Sequence, residues 1–333
     1  MSGTEKRWEI SNRSNHTKGG QSVAFFHLIR MSRSQPKHAY WSLLGALAFA
    51  TMGVCVKFAS EGYHNFEIVM YRGLIGMLFM GALMRRTKVD FATAVPLMHV
   101  WRAVVGVISL LSWFYALARI PIATGMTLNY MSSVWIGVIL LTTGWLYQSN
   151  RGHAKRQLPL VLTIISGFVG VALLLRPTFD SDQSFAALVG LGSGLFASFA
   201  YLQVSALTKI GEPETRVVFY FSLASFVCGA LGTVWIGASG WSWHAVWLIP
   251  VGLLATLGQW CITRAYGSGA MLLVANLQYA GIAFAALYGV LIFQDELPWF
   301  SWLGMGIIVV SGMLATVLRA RALPQTPPKE ITA

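Results

Sequence analysis

Ten apolar runs dominate the chain, at 40–59, 66–84, 99–118, 122–143, 158–175, 184–208, 215–237, 245–266, 270–293 and 299–319. Each is close to the roughly 20 residues an α-helix needs to cross about 30 Å of hydrocarbon. In lipid every backbone polar group must be satisfied internally, so runs of this kind are expected to be membrane-spanning helices. The expected fold is therefore an all-α integral membrane protein, with short connectors that make consecutive helices antiparallel neighbours. The balance of 56% hydrophobic to 11% charged residues fits this and excludes a soluble or disordered chain.

Orientation follows from Lys and Arg in alternate connectors. One side collects the N-terminal tail, Arg85, Arg86, Lys88, Arg102, Arg151, Lys155, Arg156, Lys209, Arg216, Arg264, Arg319, Arg321 and Lys329. The other holds only Lys57, Arg72, Arg119 and Arg176, all at or inside span ends. Both termini are expected in the cytoplasm of a bacterial inner membrane, with Glu61, Asp180, Asp182, Trp241–His244, Asp295 and Glu296 outside. The net charge of +12 thus serves orientation; no basic face with stacking aromatics can be drawn, so nucleic acid is not an expected partner. Residues 1–38 read as a polar cytoplasmic tail, and Met31 is an alternative start because MSRSQPKHAYW forms a short leader into the first span.

The inventory argues against an enzyme. The seven histidines, His16, His27, His38, His64, His99, His153 and His244, lie in tails or near span ends, and no HExxH, GxSxG or paired carboxylate sits at membrane depth. Cys55, Cys228 and Cys261 fall in apolar runs at spacings that match no metal site or disulfide framework, so they read as packing residues and no cofactor is expected. The sequence has no ring of repeated charge or filter-like loop of the kind a channel uses.

An internal repeat carries the functional information. Leu277-Gln278-Tyr279 stands 149 positions after Leu128-Asn129-Tyr130, an amide and a tyrosine in the same order inside two apolar runs. Phe196-Ala197-Ser198 parallels Phe49-Ala50-Thr51, and Val310-Ser311-Gly312 parallels Ile165-Ser166-Gly167. Two five-helix units are expected, 39–178 and 179–320, followed by a C-terminal tail at 321–333. Because five is odd, the second unit enters the membrane from the opposite side, giving ten helices in two inverted repeats with a site near the midplane between them.

With Arg72 in MYRGLIGMLF, the Tyr115-Ala116-Leu117…Pro121 passage, and Phe293-Gln294-Asp295-Glu296 followed by Gly304 and Ser311-Gly312, residues from about 40 to 320 resemble the EamA branch of the drug/metabolite transporter superfamily. Two departures stand out. The family's proline in the fourth span is absent across Asn129–Ser133, which implies a straighter helix, and Gly144-Trp145 replaces the glutamate that closes that span. The resemblance implies transport of small metabolites, often amino acids or their derivatives and often outward, through a cavity lined by spans one, three, four, six, eight and nine. It also implies structural parts for Arg72 and Glu296.

Amides at the bilayer centre must be satisfied or face water, which makes Asn129 and Gln278 the first candidates for substrate contact; the alternative is interhelical glue. Tyr130, Tyr279 and Trp113 are candidates for an aromatic wall. Charge inside the spans is all basic, with Lys57, Arg72 and Arg264 and no Asp or Glu at mid-span, which argues against a cationic substrate. Lys57 and Arg264 are expected either to hold a carboxylate or to snorkel, and Arg72 to snorkel or to pair with Glu67 or Glu61. Gly190 and Gly194 form a GxxxG pattern expected to let the sixth span approach a neighbour closely. The chain thus reads as a secondary transporter of an amino acid or small carboxylate, working by alternating access as a monomer or homodimer among membrane lipids. The alternative is a translocator of a lipid or lipid-linked sugar.

Overall fold

The structure, a computed structural model, describes residues 36–132, 181–267 and 277–322, with isolated positions between 134 and 173. Residues 1–35, most of the fifth expected span, Gly144-Trp145, Asn276 and residues 323–333 lie outside the described residues. The described elements are helices: α1 (Pro36–Ala59), α2 (Asn65–Thr87), α3 (Pro96–Leu117), α4 (Ile122–Tyr130), α5 (Ser181–Lys209), α6 (Glu214–Ile236), α7 (Leu248–Gly267), α8 (Ala280–Ile292) and α9 (Trp299–Ala322), with a short 3₁₀ turn at Trp243–Trp247 before α7. Six segments among the described residues are long and apolar enough to cross a membrane, in α1, α2, α3, α5, α6 and the 3₁₀ turn with α7; Ala280–Ile292 and Trp299–Ser311 are shorter apolar helices. Ten spans were expected; six meet that measure among the described residues, and the fourth, fifth and ninth expected runs lie partly outside them.

The helix ends follow local chemistry. The Glu67 carboxylate accepts from the His64 backbone N–H at 3.1 Å, closing a capping box at the start of α2. That helix stops at Lys88, which takes the left-handed conformation with φ 55°. Pro96 opens α3, where its missing N–H leaves no intrahelical bond unmade, and Gly237 ends α6 with φ 98°. The fourth span carries no proline, yet its helix is interrupted at Met131, and the second half turns at Tyr279. Inside α4 the Thr127 hydroxyl donates to the Ala123 carbonyl at 2.6 Å, which satisfies it within its own helix.

Lipid supplies little hydrophobic drive between helices, so close backbone approach and interhelical hydrogen bonds must hold the bundle. The main packing pairs are α2 with α6, α3 with α5 and α1 with α7. Smaller contacts join α2 to α7, α3 to α6, α1 to α8, α4 to α5 and α4 to α8. Glycines open the largest contact in both directions: a Cβ at Gly73 would strike the Phe226 backbone, and one at Gly229 would strike the Met70 backbone. Gly73 lacks a small partner four residues on in its own helix, because the complementary glycine stands on α6. On the outside, Leu78, Leu97, Leu231 and Val234 are exposed, and Trp235, Trp241, Trp243 and Trp299 form an exposed aromatic belt at one end of the bundle. Tryptophan favours that depth because its ring is apolar and its N–H is wet.

Candidate functional site

One stripe of α3 faces the centre of the bundle. Arg102, Gly106, Ser109 and Trp113 recur at helical spacing and line a cavity of about 50 Å³ with Asn129 and Tyr130 of α4, Arg72 of α2 and Phe221 of α6. Phe49 of α1, Ala197, Ala200 and Tyr201 of α5, and Gln259 of α7 complete the lining. Phe49 and Ala197 belong to the paired triplets of the repeat, so both halves contribute wall. The volume holds a few waters, well below the ~300 Å³ at which ligand pockets begin.

Asn129 is tied into the wall. Its Nδ2 donates to Ser193 Oγ at 3.0 Å, Ser193 Oγ donates to the Gly190 carbonyl at 2.6 Å, and Ser109 Oγ donates to the Ser193 carbonyl at 2.9 Å. Close approach makes this network possible: a Cβ at Gly190 would lie 3.2 Å from the Ala116 Cβ, and one at Gly194 would lie 2.6 Å from the Leu128 carbonyl oxygen. Asn129 therefore both joins helices and faces the cavity. Trp113 meets Phe49 edge-on at 6.1 Å, and its buried Nε1–H has no hydrogen-bond partner among the described residues.

Two arginines form the cationic part of the wall. Arg72 is 5% exposed and Arg102 3% exposed, and their guanidinium carbons lie 4.9 and 4.0 Å from the centre of the same Phe221 ring. Among the described residues neither pairs with a carboxylate. Arg72 Nη1 reaches Ser225 Oγ at 3.4 Å, while Arg72 Nε and both Nε and Nη1 of Arg102 have no hydrogen-bond partner among the described residues. Cation–π contact returns about 2 kcal/mol to a desolvated cation, against a burial penalty of several kcal/mol per ion. The ring therefore compensates only part of either charge.

The expected pairing of Arg72 with Glu67 or Glu61 is not what the structure has. Glu67 accepts from the backbone of His64 and Ser239 and from the Ser239 hydroxyl, and Glu61 lies 3.2 Å from His244 Nε2. Five residues of helix separate Glu67 from Arg72, which puts them on different faces. Arg102, counted with the basic connectors, instead turns into the cavity. It folds across Gly106, where any Cβ would collide with Arg102 Nη1.

The other candidates lie away from the lining. Gln278 and Tyr279 are buried outside it, with Tyr279 meeting Tyr130 edge-on at 6.3 Å. Lys57 stands at one end of the bundle, 3.7 Å from Asp295 and 4.6 Å from the centre of the Phe293 ring. Neighbouring Phe58 stacks on Trp247 at 4.8 Å, while Glu296 is exposed. Arg264 is exposed in the last turn of α7, 5.0 Å from the Trp41 ring. Sequence reasoning missed Arg102, Tyr201, Phe221 and Gln259. The Arg102–Gly106–Ser109–Trp113 stripe and an amide inside the seventh helix were the available signals.

The opposite end carries a charged cluster. Glu212 accepts from Thr93 at 2.6 Å and from Arg216 at 3.0 Å, and lies 3.6 Å from His99 Nε2. Burial alone would raise the Glu212 carboxyl, but the hydrogen bonds from Thr93 and Arg216 and the charges of Arg216 and His99 outweigh it and hold it below its usual range. Arg216 Nε also donates to the Asp90 carbonyl at 2.9 Å, and Tyr220 to the Phe91 carbonyl at 2.7 Å, tying the connector after α2 to α6.

Comparison with known proteins fits this geometry. The model of the EamA-like transporter family matches residues 37–176. A pseudopaline exporter of Pseudomonas aeruginosa is 30% identical over 279 residues, covering 82% of this chain and 93% of its own length. A riboflavin transporter of Vibrio cholerae is 26% identical, covering 82% of this chain and 90% of its own length. A solved crystal structure shares the fold with a TM-score of 0.57 at 17% identity, over 87% of this chain and 100% of its own. With a helical bundle whose outer surface is apolar and whose centre is a small polar cavity, these likenesses identify the chain as a member of the EamA-like family of the drug/metabolite transporter superfamily, a multi-pass membrane transporter of small metabolites.

Proposed function

We propose that the protein is a secondary carrier that moves a carboxylate-bearing small metabolite, of amino-acid or small organic-acid type, outward across the bacterial inner membrane by alternating access. The observation that carries this reading is the small central cavity, walled by both halves of the chain and cationic, amide and aromatic in character, with no carboxylate in its lining among the described residues. A carboxylate suits guanidinium and amide donors; a cation would meet like charge.

Ten helices in two inverted repeats, 39–178 and 179–320, are supported by the packing. Exchanging α1 with α5, α2 with α6, α3 with α7 and α4 with α8 turns each packing pair described above into another of them, or into itself. Gly170, in the fifth expected span, approaches α9 closely: a Cβ there would lie 2.8 Å from Ile308 Cγ1 and 3.0 Å from the Gly304 carbonyl oxygen, as the two fifth helices of such a repeat would meet. Cytoplasmic termini are supported by the distribution of Lys and Arg, and outward movement by the exporter among the relatives. Rocking of one half against the other would open the Lys57–Asp295 end and the Glu212 end in turn.

The test is a thermal-stability screen of the detergent-purified protein against amino acids, mono- and dicarboxylates, cationic compounds and lipid-linked sugars, since a ligand that binds the folded state raises its apparent stability. Stabilisation by carboxylates supports the carrier. Stabilisation by lipids or lipid-linked sugars alone overturns it in favour of a translocator.

A further inference from the structure

The cavity wall carries two positive charges and, among the described residues, no negative one. The acidic side chains nearest each end are committed elsewhere: Glu67 to the start of α2 and Ser239, Glu61 to His244, Asp295 to Lys57, and Glu212 to Thr93 and Arg216. Arg72 and Arg102 come from different helices, α2 and α3, yet converge on one aromatic ring. Phe221 fixes both planar groups and supplies no hydrogen-bond acceptor, so their free N–H donors stay available to a ligand. Gly106 has no side chain where Arg102 crosses α3, and that gap lets the long side chain fold back into the cavity.

We propose that Arg72 and Arg102 act together as the specificity-determining pair for a dianion: an organic substrate carrying two carboxylates, one for each guanidinium. This rests on the carrier reading above and narrows its substrate class. A zwitterion brings no net charge to the site and a monocarboxylate only one. Either leaves a buried guanidinium without a counter-ion, which is the costly state for a charge removed from water. Charge matching selects substrates with two negative groups, and Lys57 and Arg264 take no part in it.

The test uses the full-length protein purified in chloride-free buffer and a series that changes charge with little change of shape: succinate, its monoamide succinamate, and succinamide, then phthalate with its monoamide. Affinities come from the ligand dependence of the melting temperature. For wild type we expect each dicarboxylate to bind about tenfold or more tightly than its monoamide, the worth of one hydrogen-bonded charge. Arg72→Gln and Arg102→Gln should each shrink that gap to about twofold or less, whereas Arg102→Lys, which keeps the charge, should preserve most of it. A role confined to packing would lower stability without changing the preference between a dicarboxylate and its monoamide. If a Gln variant does not fold, the wild-type series decides alone. Equal binding of monocarboxylates or zwitterions by wild type overturns the dianion assignment and leaves the carrier reading intact; binding of no carboxylate at any charge overturns both. Stabilisation by sulfate with none by a dicarboxylate overturns the assignment to an organic substrate.

Discussion

Gly194→Ala should separate packing from helix propensity, because α5 carries its own control two residues earlier. A Cβ at Gly194 would sit 2.6 Å from the Leu128 carbonyl oxygen, 3.1 Å from that of Asn129 and 3.4 Å from the Ser132 nitrogen. All three atoms are backbone, so no side chain can swing aside. The nearest falls 0.8 Å short of the 3.4 Å at which ordinary contact begins, so α4 or α5 must shift by most of that distance. At Gly192 a Cβ meets nothing within 4 Å. Alanine improves intrinsic helix propensity by about 1 kcal/mol at either position, so that term cancels in the comparison. Overpacking of this kind costs about 1–3 kcal/mol, and Gly194→Ala should be less stable than Gly192→Ala by that amount. For a chain of this size each kcal/mol moves the melting temperature by about 2 °C, so a separation of about 2–6 °C is expected in detergent. The strained contacts are with the Leu128 and Asn129 carbonyls, next to the Asn129 side chain in the cavity wall, so Gly194→Ala should also weaken ligand binding. Equal melting temperatures for the two variants would refute the close approach of α5 to α4.

Two further outcomes follow from the ion pairs at the ends of the bundle. The Glu212 carboxyl is held below its ordinary value of 4.5 in the folded protein, so its contribution to stability is complete above that value and is lost as the pH falls through the lower folded one. Melting temperatures taken from neutral pH down to about 3.5 should therefore fall more steeply for wild type than for Glu212→Gln, and parallel curves would contradict this. Lys57→Gln breaks a partly exposed pair with Asp295 and should cost no more than about 1 kcal/mol. It should leave the preference for anionic over neutral ligands unchanged; a selective loss of anion binding would return Lys57 to the site.

Much of the fold was legible because lipid imposes length and hydropathy together. The run at 66–84 became Asn65–Thr87, the run at 99–118 became Pro96–Leu117, and the run at 215–237 became Glu214–Ile236. The fourth span was harder. The absence of proline implied a straighter helix, yet the helical assignment breaks at Met131, and composition alone gives no signal for that break. For the site, an amide and two aromatic residues in apolar runs led to Asn129, Tyr130 and Trp113, all in the cavity lining. Gln278 has the same local sequence but lies outside that lining, whereas Gln259 is part of it. The repeat fixes position along the membrane normal, not which way a side chain points. Arg102 was obscured by its place six residues into α3, where a charge count treats it as a connector residue. A charge count cannot see that a glycine one turn on leaves its side chain a route inward.

The central claim is that this cavity is where the metabolite binds, and blocking it without removing a polar group tests that claim most directly. Ala197 lines the cavity and is 5% exposed, so Ala197→Phe adds bulk there and leaves Arg72, Arg102 and Asn129 in place. The measurement is the thermal shift given to wild type and to Ala197→Phe by the carboxylate that best stabilises wild type, with Leu231→Phe on the exposed face of α6 as control. The account predicts that the shift disappears in Ala197→Phe and persists in Leu231→Phe. An undiminished shift in Ala197→Phe would contradict it and move the binding site out of the cavity.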